Sequence, residues 1–424
     1  MTKERLLFVY TLNQSFHWFI VGLIIPVLSL LQLDKGLNLF QIGVIGALYS
    51  GTTLLLELPT GGLADAIGRK EVYLASLSTT FLAVLVIAAG TGFWPVAVGF
   101  VLFGIGRALS SGTIDAWFVD EFKRLVPEGN LQKATALVNV FIPIGLCVGA
   151  LFGGILPMTL GRYLSGAHRL GVYDANLFAK AALLAVQFVL TITLVREPAH
   201  ADGRPGVADG LRMTPRILRT AVTYGLKKRV VLLLLLTTLA WGFGFAGLEN
   251  FWQPRVKAIL GDSTQTWIFG VLSAGYFLSG SLGSLLVTAL CRVFKERYEL
   301  VLFWSRTAMG ALFLALARQK GIAGFSVFYL ALFMVNGMTN SPHLAVFHRE
   351  VPDETRATML SFDSLCLSAG GLLGALLMGY LADAYSIPAS WLVGAGVIGA
   401  SGIPYLLAAR RVKRTEEGIF TLLR

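Results

Sequence analysis

Ionisable and amide side chains set at helical spacing inside strongly apolar sequence are the features of this chain that could do chemistry. Arg107, Ser111 and Asp115 recur at i, i+4 and i+8, an interval that places them along one face of a helix. Similar intervals relate Asn13 to His17, Glu249 to Gln253, and Asn336 to Asn340 and His343. Glu57 is a further acid, in the run LLLELPTGG. Such groups are costly in hydrocarbon, so each needs a partner, a water-filled path or a purpose. One purpose is proton handling. A carboxylate beside an arginine stays ionised, and one parted from it in a drier setting takes up a proton. Glu57, Arg107 and Asp115 are therefore the proton-coupling candidates. Arg107 lies roughly 20 Å deep at 1.5 Å per helical residue, and Glu57 or the polar group of the first span is its expected partner. Arg306 and Asp363 stand nearer segment ends, where the arginine is expected to snorkel and the aspartate to meet cytoplasmic water.

A second constellation, His343, His348, Glu350 and Asp353 in HLAVFHREVPDE, raises the alternative of a membrane-embedded enzyme. It lacks the paired histidines with an intervening base that a zinc protease helix requires. Cys147, Cys291 and Cys366 show no CxxC spacing, so neither a disulfide framework nor a zinc site is indicated. No phosphate-cradling GxxxxGK[ST] loop occurs. The expectation is a protein that is not an enzyme and carries no cofactor and no metal.

The elements that must position these groups follow from composition. With 424 residues, 55% hydrophobic and 14% charged, and a mean hydropathy of +0.70, the chain has too few charges to clothe a soluble surface of its size. Apolar runs of spanning length, about 20 residues each, fall at 6–31, 42–63, 73–92, 94–118, 135–160, 176–195, 230–254, 266–290, 300–317, 322–346, 357–382 and 389–409. Twelve spans imply an all-α polytopic membrane protein in the lipid bilayer, with halves at 1–195 and 230–424 joined by a polar linker at 196–229. The net charge of +11 is distributed to orient the protein, not to bind nucleic acid. Placing the N-terminus inside collects most of the lysines and arginines on the same side as the linker and tail, which makes both termini cytoplasmic.

The stretch Gly61 to Tyr73, GGLADAIGRKEVY, joins the second and third spans. Gly61, Leu63, Ala64, Asp65, Gly68, Arg69 and Lys70 match G-x-L-A-D-R-x-G-R-K-x-x-L, and so the loop resembles the signature of the major facilitator superfamily. Ala66 and Tyr73 depart from it. RALSSG (107–112) resembles a second signature, R-x-x-x-x-G, in span four. GLCVGALFGG, with Gly145, Gly149, Gly153 and Gly154, resembles the antiporter signature G-x-x-x-G-P-x-x-G-G with Ala150 in place of proline; small residues at this spacing also let two helix backbones approach. Ordered matches between the halves, SSGTIDAWFVDE with TNSPHLAVFHRE and GALFGG with GALLMG, fit a transporter built from repeats.

The resemblance implies two pseudo-symmetric six-helix bundles that alternate access to a central cavity. It implies that spans one, four, seven and ten line that cavity, which is where the polar stripes fall. Asn13, His17, Ser111, Glu249, Gln253, Asn336, Asn340 and His343 are thus cavity-lining candidates, and Gly61, Asp65, Gly68, Arg69 and Lys70 a gating loop. Asp65 is expected to pair with Arg69 and to accept hydrogen bonds from the start of span eleven. The function implied is proton-coupled export of small amphipathic drugs or metabolites, cationic ones included, by a functional monomer in the cell membrane. A proton-coupled importer or facilitator of a nutrient is the alternative.

Overall fold

The computed structural model describes residues 2–168, 170–197, 228–261 and 265–409, apart from the side chains at 58, 59, 61, 62, 65, 66, 167, 168, 354 and 357. Most of the linker and the tail beyond 409 lie outside the described residues. Among the described residues there is no strand, and 12 helical segments are long and apolar enough to cross a membrane. Spans one to six are Lys3–Asp34, Leu39–Glu57, Arg69–Ala89, Phe93–Leu125, Leu131–Gly166 and Asp174–Leu194; the helix of span two itself continues to Ile67. Spans seven to twelve are Arg229–Leu260, Trp267–Val293, Tyr298–Ala317, Ile322–Glu350, Thr358–Ala384 and Ile387–Ala409. Bulky side chains such as Leu55, Leu82 and Leu285 stay exposed, as expected of helices whose outer faces meet lipid.

Local sequence sets the helix ends. Asn38 opens span two with a reciprocal capping box, its Oδ1 accepting from the Gln41 amide at 2.8 Å while Gln41 Oε1 accepts from the Asn38 amide at 3.0 Å. Gly68 separates spans two and three at φ 115°, a backbone conformation open to glycine and strained for other residues.

Two compact units result: Met1–Pro215 with Asp262–Phe277, and Arg216–Gly261 with Leu278–Arg424. The first part of span eight therefore packs with spans one to six. The reason is a glycine contact. A Cβ on Gly154 would lie 2.7 Å from the Gly270 nitrogen, and Thr266 Oγ1 donates to the Gly154 carbonyl at 2.6 Å.

Inside each unit the packing follows one plan. Span one lies along span five, span three against spans four and six; span seven lies along span eleven, span nine against spans ten and twelve. Glycines make both long seams. A Cβ on Gly145, Gly149 or Gly153 would sit 2.3, 2.1 or 2.3 Å from the carbonyl oxygens of Ser15, Phe19 and Leu23. In the second unit Gly370 and Gly374 would meet the carbonyls of Leu239 and Phe243 at 2.1 and 2.2 Å. The GALFGG and GALLMG segments thus occupy equivalent seams, in lipid where packing and not hydrophobic exclusion holds helices together. A buried ion pair, Lys35 Nζ to Asp174 Oδ1 at 2.8 Å, also ties span one to span six.

Candidate functional site

Spans one, three, four and five of the first unit line an open cavity of about 460 Å³. Its polar lining comes chiefly from Tyr10, Gln14 and His17 of span one and Arg107, Ser111 and Asp115 of span four. Trp18 and Phe118 add apolar wall, and Tyr10 stacks on Phe118 with ring centroids 4.1 Å apart.

Span four is not the continuous helix its stripe implied. It stops at Ser110 and restarts at Thr113, with Gly112 between them at φ 70°. The Thr113 hydroxyl donates to the Ser110 carbonyl across the break, at 3.0 Å. Arg107 ends one helix and Asp115 begins the next, in the first turn, where the helix dipole favours an acid. Span ten breaks at the matching place, between Gly337 and Asn340. There Thr339 Oγ1 donates to the Asn336 carbonyl at 2.8 Å.

The pairing expected of Arg107 is not made. Asp115 Oδ1 accepts from the Tyr10 hydroxyl at 2.6 Å and from Gln14 Nε2, and Glu57 Oε1 accepts from Ser111 Oγ at 3.3 Å. Both carboxylates are engaged by neutral donors close at hand. The Arg107 side chain is exposed, and among the described residues its guanidinium has no hydrogen-bond or ion-pair partner.

Span one divides its polar residues between two faces. His17 reaches the cavity, its Nδ1 3.2 Å from the Tyr73 hydroxyl, which accepts from Gln187 Nε2 at 2.7 Å. Asn13 does not line this cavity. It is buried against span six, where its Nδ2 donates to Thr191 Oγ1 at 2.9 Å, because one turn of helix plus a neighbour's hydroxyl outweighs the shared stripe. Tyr10, Gln14 and Tyr73 are cavity residues that the stripes passed over; Tyr73 is a departure from the loop signature, which was its one visible signal. Buried Lys180, its Nζ 4.6 Å from the Phe103 ring centroid, was also missed, although a lone lysine in DANLFAKAALL is a readable anomaly.

In the second unit Glu249 and Asn340 are exposed, and Asn336 accepts from Trp241 Nε1 at 2.9 Å. Gln253, expected to line a cavity, is 2% exposed and belongs to the core. His343 is buried in a polar cluster. Its Nδ1 lies 2.9 Å from the Tyr405 hydroxyl and its Nε2 3.5 Å from Asp363 Oδ2. Thr238 Oγ1 donates to Asp363 Oδ1 at 2.7 Å, and Thr237 Oγ1 to the Tyr405 oxygen at 2.9 Å. Arg306 joins this cluster beside Tyr405 and is buried, so it does not snorkel, and Asp363 faces protein donors in place of open water. Two acids of HLAVFHREVPDE are met by arginines: Glu350 lies 3.5 Å from Arg349, and Asp353 pairs with Arg356.

At the loop, Glu197 caps span three by accepting from the amides of Arg69 and Lys70 at 3.2 and 2.8 Å. Arg69 Nη1 pairs with Asp120 of span four, and Lys70 Nζ donates to the Ile192 carbonyl at 3.0 Å. The loop is thereby fastened to spans four and six. The Asp65 side chain, with the pairings expected of it, lies outside the described residues.

Comparison with known proteins agrees with this architecture. The sequence profile of the Major Facilitator Superfamily matches residues 10–347. The chain is 21% identical to the uncharacterized MFS-type transporter YxaM of Bacillus subtilis (strain 168), covering 88% of each sequence. It is 20% identical to the quinolone resistance protein NorA of Staphylococcus aureus (strain Mu50), covering 91% of each. Among solved structures it resembles the nucleoside transporter NupG with a TM-score of 0.76 at 16% identity, over 95% of this chain and 98% of that one.

Proposed function

The chain belongs to the Major Facilitator Superfamily, and as a transporter of that family we propose that it exports small amphipathic molecules in exchange for protons, by alternating access in the cell membrane with both termini cytoplasmic. The observation that carries this reading is the cavity of about 460 Å³ that holds Arg107, Asp115 and His17 inside otherwise apolar spans. Its size suits a drug-like molecule, and Asp115 in its lining, with Glu57 behind Ser111, offers the proton-binding groups an antiporter needs. The name of NorA, a quinolone resistance protein, supports export. Among the described residues Asp115 and Glu57 meet hydroxyl and amide donors and no ion pair. The loop with Asp65, Gly68 and Arg69 serves as the gate latch.

Flux in proteoliposomes with and without an imposed pH gradient tests the coupling. Asp115→Asn and Glu57→Gln are expected to lose most gradient-driven export while downhill exchange survives in at least one, and Arg107→Ala to lose both. Wild-type response to the gradient in both carboxylate variants would place coupling elsewhere. Orientation is a separate prediction, from the lysine and arginine asymmetry. In intact cells an impermeant thiol reagent should label a cysteine placed at Gly166 and spare one at Gly203; the opposite pattern reverses the topology.

A further inference from the structure

Arg107 brings five N–H donors in a rigid, permanently charged fork to a cavity inside the membrane-spanning region. The other ionisable groups around it are provided for, while the Asn139 amide, also in the lining, is neutral. Asp115 takes the Tyr10 hydroxyl and Gln14, Glu57 takes Ser111, and His17 is joined to Tyr73. Lys180, the nearby second cation, stands over Phe103. Arg107 alone, exposed in the cavity, has neither an ion pair nor a hydrogen-bond acceptor for its guanidinium among the described residues. An intramembrane arginine is costly unless an anion or a polar path meets it, and a planar fork matches a carboxylate through two parallel hydrogen bonds.

We infer that the cavity of the first unit is a receptor for an amphipathic carboxylate, whose anionic head lies in the Arg107 fork and whose apolar or aromatic body lies against Trp18 and the Tyr10–Phe118 stack. Cations are disfavoured as cargo of this subsite for a specific reason. The acid they would need, Asp115, already accepts two protein donors on one oxygen, and the positive charges of Arg107 and Lys180 repel them. The ligand completes the ion pair that the protein leaves open. This narrows the cargo that sequence resemblance implied, in which cations were included. It also gives Arg107 a role in recognition distinct from proton transfer, one that rests on the cavity being the substrate path.

The test is equilibrium binding to the full-length protein in nanodiscs, with one ring system carrying three head groups: radiolabelled 1-naphthylacetate, its primary amide, and 2-(1-naphthyl)ethylamine. The acid is expected to bind at least about tenfold more tightly than the amide, one tenfold step corresponding to the charge-assisted bonds the amide cannot make. Arg107→Gln should bring acid and amide within about twofold of each other, chiefly by weakening the acid. Arg107→Lys, which keeps the charge and loses the fork, should retain an intermediate preference. Unaltered melting temperatures establish that the variants are folded. An amide or amine that binds as tightly as the acid, or an acid preference that survives Arg107→Gln, overturns the inference while leaving the cavity as substrate path. Absence of binding by all three head groups overturns both. Acid-selective binding without gradient-driven export would instead sustain the inference and sink the proton antiport.

Discussion

Gly149→Val is expected to abolish folded protein. Even the first added atom, a Cβ, falls 2.1 Å from the Phe19 carbonyl oxygen, and that oxygen belongs to helix backbone that cannot rotate aside as a side chain would. Spans one and five would have to separate along the seam that Gly145 and Gly153 also form, losing close van der Waals contact and the weak Cα–H···O bonds that accompany it. Overpacking of this kind costs about 1–3 kcal/mol where neighbours can adjust and more where they cannot. Two rigid backbones are the second case, so about 3 kcal/mol or more is expected. Gly149→Ala should already lower the melting temperature by several degrees, and Gly149→Val should leave no monodisperse peak on gel filtration in detergent. Gly166, around which nothing lies within 4 Å of an added Cβ, supplies the control: Gly166→Ala should melt like the parent. A Gly149→Val protein with parental melting temperature would refute the seam.

That seam was legible as spacing alone, and so were the twelve spans, because hydrocarbon imposes a length and a composition that sequence displays directly. The loop was legible too, through Gly68 and its charged neighbours. What remained hidden was which neighbour each polar side chain would find. Asn13 and Gln14 are adjacent, about 100° apart on a helix of 3.6 residues per turn, and they end on different partners, Thr191 and Asp115. A stripe at i, i+4 fixes relative direction along one helix and says nothing of the helix opposite. The same limit explains Gln253, whose stripe with Glu249 survives while its side chain is buried. The break at Gly112 was invisible for a different reason: one glycine in an apolar run reads equally as packing or as a turn. Arg306 was misplaced because snorkelling was inferred from distance to the span end, whereas the Tyr405 hydroxyl and the Asp363 carboxylate draw it inward.

Asp363→Ala is expected to destabilise the second unit more than any other single charge deletion there. The Tyr405 hydroxyl lies 2.9 Å from both Thr237 Oγ1 and His343 Nδ1 and stands against Arg306, while His343 Nε2 faces Asp363. Asp363 is the carboxylate whose charge reaches buried Arg306, and Thr238 spends its donor on it. Removing it leaves the Arg306 guanidinium, already lacking acceptors at Nε and one terminal nitrogen, uncompensated in a buried site. Leaving a buried charge less compensated is destabilising, and a fall in melting temperature in detergent should register it. Asp363→Asn, which keeps an oxygen for Thr238, should fall less. Arg306→Met combined with Asp363→Leu should recover most of the loss, since replacing both charges removes the desolvation penalty along with the attraction. If Asp363→Ala melts within about 2 °C of the parent, the carboxylate does not hold Arg306 in place; if the double variant melts no higher than Asp363→Ala, the loss came from packing and not from the unmet charge.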